Sequence, residues 1–71
     1  MQFQAAQYFD IDDRPAGWGI VGTIDLEADW LVDDCDLTEA KAIQAAAALN
    51  AQGWLDWHEI DFVIVNRLCQ A

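Results

Sequence analysis

Residues 18–33 read WGIVGTIDLEADWLVD, and this stretch decides the fold. Trp18, Ile20, Ile24, Leu26, Ala28, Trp30 and Val32 share one parity, while Asp25, Glu27, Asp29 and Asp33 share the other. A period of two is the mark of a strand with one buried and one solvated face. A single strand usually runs for about 3 to 10 residues. The stretch is therefore predicted to fold back on itself, with a tight reversal near Leu26 to Asp29, although no Gly, Pro or Asn marks the place.

Upstream, Phe3, Ala5, Phe9 and Ile11 alternate with polar Gln2, Gln4 and Asp10, which predicts a half-buried strand from Gln2 to Ile11. Between the two alternating segments lies Asp12-Asp13-Arg14-Pro15-Ala16-Gly17. Asp can bond nearby backbone, Pro presets φ and Gly supplies a positive φ, so this stretch is predicted to be a turn.

Downstream, Asp36-Leu37-Thr38-Glu39 sets a cap-competent carboxylate three residues before a Glu, close to the capping-box pattern. A helix is predicted from about Leu37, with Ala40, Ile43, Ala47 and the flanking Ala46 against the sheet. Gly53 suits the left-handed position after the helix, and Trp54 would then fold back on Leu49. The last segment is two-sided. Asp56-Trp57-His58-Glu59 could cap a second helix running to Cys69, but Ile60 and Phe62 to Val65 are stiff β-branched or aromatic side chains that favour a strand. The strand is preferred. The expected fold is α+β, a small antiparallel or mixed sheet packed by one helix in the order β-β-β-α-β, within a single domain covering 1–71.

The bulk properties exclude several classes. With 71 residues there is room for one core, and 55% hydrophobic residues with four tryptophans argue against disorder. No apolar run, the dense Phe62 to Val65 included, approaches the roughly 18 residues of a membrane span. Cys35 and Cys69 form no Cys-x-x-Cys pair and follow no recognisable leader, so both are expected to be reduced, small apolar residues in a cytoplasmic protein. Thirteen acidic residues against three basic ones give a net charge of −10. That charge repels nucleic acid and anionic membranes and favours a protein partner with a basic surface.

Candidate chemistry is sparse. Glu27 and Asp29, with Asp25 before them, would form a carboxylate row spaced by about 7 Å on an unbroken strand. Such a row either faces open water or meets a cationic partner. Asp10, Asp12 and Asp13, and separately Asp33, Asp34 and Asp36, form two more acidic clusters; neither has the spacing of a calcium loop, so no metal is expected. His58, among Asp56, Glu59 and Asp61, lacks a nucleophile or a second His, and Gly17, Gly19, Gly22 and Gly53 match no nucleotide-binding fingerprint. No cofactor and no catalytic role follow. Four indoles crowd so small a core, so at least one of Trp18, Trp30, Trp54 and Trp57 should be partly exposed and available as an interface anchor.

A short acidic chain of hairpin, capped Ala-rich helix and closing strand resembles the small phage- and mobile-element-encoded inhibitors of host defence, among them anti-CRISPR and anti-restriction proteins that mimic DNA. The resemblance lies in architecture and charge, and it implies inhibition by docking on a basic, nucleic-acid-binding site of a partner complex. The residues expected to make that contact are Asp25, Glu27, Asp29, Asp33, Asp34 and Trp30. The alternative is a structural or assembly module that forms a homodimer through an apolar, Trp-rich face.

Overall fold

The structure is a computed structural model describing residues 1–70; the side chains of residues 34–36 lie outside the described set. Its elements are β1 (Gln2–Phe9), β2 (Pro15–Ile24), β3 (Glu27–Leu37), α1 (Glu39–Asn50), a 3-10 turn (Trp57–Glu59) and α2 (Phe62–Cys69). The strands form one antiparallel sheet in the order β1-β2-β3. The α+β class and the β-β-β-α order hold as expected. The closing strand does not, because residues 57–69 form the 3-10 turn and a second helix.

Residues 62–69 become a helix because two local features outweigh their β-branched character. The Asp61 side chain accepts from the Val63 amide at 2.9 Å, capping the first turn. Ile64, Val65, Leu68 and Cys69 then fall on one helical stripe and turn inward, while Phe62 and Val63 stay exposed. Propensity differences of a few tenths of a kcal/mol per residue yield to the burial of that stripe, which is worth roughly 1.5–3 kcal/mol for a fully buried Val or Leu side chain.

Three further expectations shift. The hairpin reversal is Asp25-Leu26, slightly earlier than expected, with Ile24 paired to Glu27 and Asp25 at φ 53. The turn after β1 spans Asp10 to Arg14 rather than Asp12 to Gly17: Asp10 Oδ1 accepts from the amides of Asp12 at 2.8 Å and Arg14 at 3.0 Å. Asp13 takes the positive φ there, Pro15 and Gly17 belong to β2, and Ile11 lies outside the strand in solvent. The cap of α1 is Thr38, whose Oγ1 accepts from the Lys41 amide at 3.1 Å. The Asp36 side chain, expected in that role, lies outside the described residues, as does that of Cys35.

The helix also buries a different face. Ala46 packs inward as expected, but with Ala42, Ala45 and Leu49, whereas Ala40, Ile43 and Ala47 are exposed. Small side chains let α1 approach the sheet closely over β1 and β2, and α2 packs beside it. The core comprises Phe3, Ile20, Ala45, Ala46, Leu49, Ile60 and Val65, flanked by Met1, Leu31, Val32, Trp54, Trp57, Leu68 and Cys69. Among the described residues it contains no buried polar or charged side chain. Gly53 stands at φ 73 after α1, as expected, and Trp54 packs on the core cluster that includes Leu49, with its ring edge-on to Phe3 at 6.2 Å.

The helices cover one face of the sheet only, and the smallest molecular dimension of 16 Å matches two layers. Antiparallel pairing puts Phe3, Ala5, Ile20, Gly22 and Trp18 on the covered face. Gln4, Ala6, Tyr8, Gly19, Val21, Thr23, Ala28 and Trp30 belong to the other. No helix among the described residues is long and apolar enough to cross a membrane.

Candidate functional site

The hairpin breaks the expected carboxylate row. Asp25 sits in the loop, and only Glu27 and Asp29 keep strand spacing on β3, opposite Ile24 and Gly22. Both are exposed, because β3 is an edge strand and α1 lies over β1 and β2. Leu26 at the hairpin tip is fully exposed, and Asp33 is exposed further along β3. The side chain of Asp34 falls outside the described residues.

Register shifts on β3 reshape the strand between Glu27–Trp30 and Leu37. Ile20 pairs with Val32 but Val21 with Trp30, leaving Leu31 as the extra residue of a bulge; a second shift lies opposite Gly19. A bulge sets consecutive side chains on similar sides, so Leu31 and Val32 both reach the core. Trp30 is left on the open face at 40% exposure.

Glycines on β2 make room for that indole. A Cβ on Gly19 would stand 3.1 Å from Cζ3 of Trp30 and collide with the Val32 carbonyl. With no side chain there, Trp30 reaches over the middle strand and meets Tyr8 of β1 edge-on, ring centroids 5.4 Å apart at 78°. The ring lies beside a shallow hollow of about 240 Å³ lined by Val21, Ala28, Asp29 and Trp30.

The border of β3 carries a fixed carboxylate. Ile24 and Glu27 close the two-residue hairpin, so by alternation Ala28 and Trp30 turn their backbone groups toward the free edge of the sheet. Asp29 Oδ1 takes the Trp30 amide at 2.8 Å. One edge donor is thereby blunted, and the carboxylate is held at the free edge of β3. Asp29, Trp30 and the hairpin acids thus come together on one border of the sheet.

The remaining acids largely have local duties. Asp10 builds the first turn, Asp61 caps α2, and Asp56 Oδ1 accepts from the amides of His58 at 2.9 Å and Glu59 at 3.2 Å. Glu59 in turn accepts from the Leu55 amide. The carboxylates around exposed His58 are therefore engaged with backbone rather than with the imidazole. Among the described residues no group of three or more His, Cys, Asp or Glu could hold a metal ion.

The tryptophans divide between the two faces. Trp54 and Trp57 pack under the core on the helix side, where Trp57 Cη2 comes within 2.9 Å of a Cβ placed on Gly22, and Trp18 shares the parity of Ile20. Trp30 is the tryptophan on the open face. Sequence reading picked out Trp30 and the acids; it missed Tyr8, Val21, Ala28 and the glycine gap, which only strand pairing brings together. No known family model, curated protein or solved structure matches this chain.

Proposed function

We propose that this protein is an acidic binding module that inhibits a cytoplasmic partner by occupying its basic, nucleic-acid-binding surface, in the manner of DNA-mimicking anti-CRISPR and anti-restriction proteins. The observation that carries this reading is the border of β3. Exposed Asp25, Glu27, Asp29 and Asp33 flank a half-exposed indole on a chain of net charge −10. Asp34 extends the same acidic run in sequence. Carboxylates take the place of phosphates against Lys and Arg, giving fast, electrostatically steered association that salt weakens. Trp30 adds an apolar anchor of the kind that dominates interface energetics. No catalytic step, metal or cofactor is part of the proposal.

The test compares host proteins retained by the wild type and by a D25K/E27K/D29K variant. Nucleic-acid-binding proteins held by the wild type alone, and released by duplex DNA, are the expected result. Equal retention by the charge-reversed variant would remove the mimicry reading.

A second reading, homodimerisation, draws on the open sheet face around Trp30, Tyr8 and Val21. Two chains of charge −10 repel at low ionic strength, so such a dimer would tighten as salt rises, opposite to the binding of a basic partner. Sedimentation across a salt series separates the two.

A further inference from the structure

Resting on that reading of a basic partner, we infer that the outer edge of β3 at residues 27–30 takes up an extended segment of the partner as a fourth, antiparallel strand in which basic and apolar side chains alternate. The sheet ends at β3, α1 lies over β1 and β2, and residues 25–30 are all exposed. The hairpin register turns the backbone groups of Ala28 and Trp30 outward, where no strand of the sheet answers them. The opposite edge differs. At Phe3 both outward groups of β1 are already bonded by Asn50, at 2.7 and 2.9 Å.

The two faces of this edge select the alternation. In an antiparallel pair, residues directly opposite each other put their side chains on the same face. Ala28 and Trp30 face the open side of the sheet, so the residues set against them would cover a methyl group and an indole that is 40% exposed, which suits Val or Ile. Glu27 and Asp29 belong to the other face, and both are exposed. Residues set against them would each meet a carboxylate, which suits Lys or Arg. The bulge at Leu31 interrupts the register, so the pairing stretch is short.

Asp29 makes the edge selective. Its Oδ1 holds the Trp30 amide at 2.8 Å, in the place that a carbonyl of an added strand takes. When such a strand pairs, the amide passes to its carbonyl and the freed carboxylate turns to the cation opposite. A neutral strand displaces the same carboxylate and offers it nothing in return. A second copy, paired about a twofold axis, brings its own Glu27 and Asp29 beside these acids on a chain of charge −10.

The experiment titrates the isotopically labelled full chain with a blocked hexapeptide of alternating Lys and Val, and with three relatives: Thr in place of Lys, N-methylated at every Val, and N-methylated at every Lys. In the added strand the valines stand opposite Ala28 and Trp30, so their amides point at β3 and the lysine amides point away. The Lys-Val peptide is expected to shift the Ala28 and Trp30 amides and to slow their hydrogen exchange. Methylation at valine should weaken binding by about 5-fold or more, and methylation at lysine by less than about 2-fold, because only the first removes hydrogen bonds to β3. Replacing Lys by Thr should also weaken it by about 5-fold or more at low salt. Asp29→Ala should narrow that preference for Lys over Thr, whereas Asp12→Ala, which removes the same charge from the distant first turn, should leave it within about 2-fold. An unchanged preference in Asp29→Ala overturns the part given to Asp29. If methylation at valine costs no more than at lysine while charge reversal at Asp25 and Glu27 still weakens binding, strand addition is wrong and the acidic-module reading stands. If the Lys-Val peptide does not bind at low salt, both fall.

Discussion

Asn50, the last residue of α1, bonds both backbone groups of Phe3: the Phe3 amide donates to Asn50 Oδ1 at 2.7 Å, and Asn50 Nδ2 donates to the Phe3 carbonyl at 2.9 Å. A primary amide carries a donor and an acceptor side by side, as a neighbouring strand would. Asn50 thus stands in for a fourth strand along the outer edge of β1 and ties the end of α1 to the core residue Phe3.

Replacing Asn50 by Ala should therefore cost about 1–2 kcal/mol, since two partly buried backbone groups lose their partner. Asn50→Asp should not restore it, because a carboxylate accepts from the Phe3 amide but repels the carbonyl. Denaturant unfolding of the three proteins checks this, and equal stability of wild type and Asp variant would count against the two-point bond.

Gly19→Ala should be among the most damaging single changes, at about 3 kcal/mol or more, because the added Cβ meets the backbone carbonyl of Val32 and not a movable side-chain tip. Gly22→Ala should cost less, about 1–2 kcal/mol. Its nearest neighbours, Cε of Met1 and Cη2 of Trp57 at 2.9 Å, are side-chain ends with some room to yield. Thermal unfolding of both variants tests the ranking.

Two positive-φ positions should respond in opposite directions. Gly53, at φ 73 with nothing within 4 Å of where a Cβ would stand, should lose only about 1 kcal/mol on mutation to Ala, and more with a β-branched residue. Asp25, at φ 53, already bears that strain, so Asp25→Gly should stabilise the hairpin by about 0.5 kcal/mol. Denaturation midpoints decide both; a neutral Gly53→Ala would mean that the left-handed turn is not needed to end α1.

Asp61→Ala removes the cap of α2 and should cost about 1 kcal/mol, with Asp61→Asn recovering most of it. Far-UV circular dichroism and unfolding midpoints provide the measurement. No change in either would mean that burial of Ile64, Val65 and Leu68 alone holds the helix.

Features that depend on neighbours along the chain were legible in the amino acids alone. Alternation over 18–33 set two strands, a turn was legible between the first two strands though it falls at Asp10 to Arg14, α1 was legible to within two residues though its cap is Thr38, and Gly53 was readable as its stop, because each rests on short-range backbone chemistry. The exposed tryptophan and its acidic flank were also legible as composition. Long-range packing settled the rest. Which face of α1 is buried depended on where β1 and β2 lay, since its alanines offered no strong apolar stripe to choose between faces. Residues 62–69 became a helix because packing against α1 outweighed the β-branched preference for a strand. The meeting of Val21, Ala28, Asp29 and Trp30 around one hollow, with Tyr8 against the indole, needed the register of three strands, and register is set by burial and turn geometry across the whole sheet, not by any one segment.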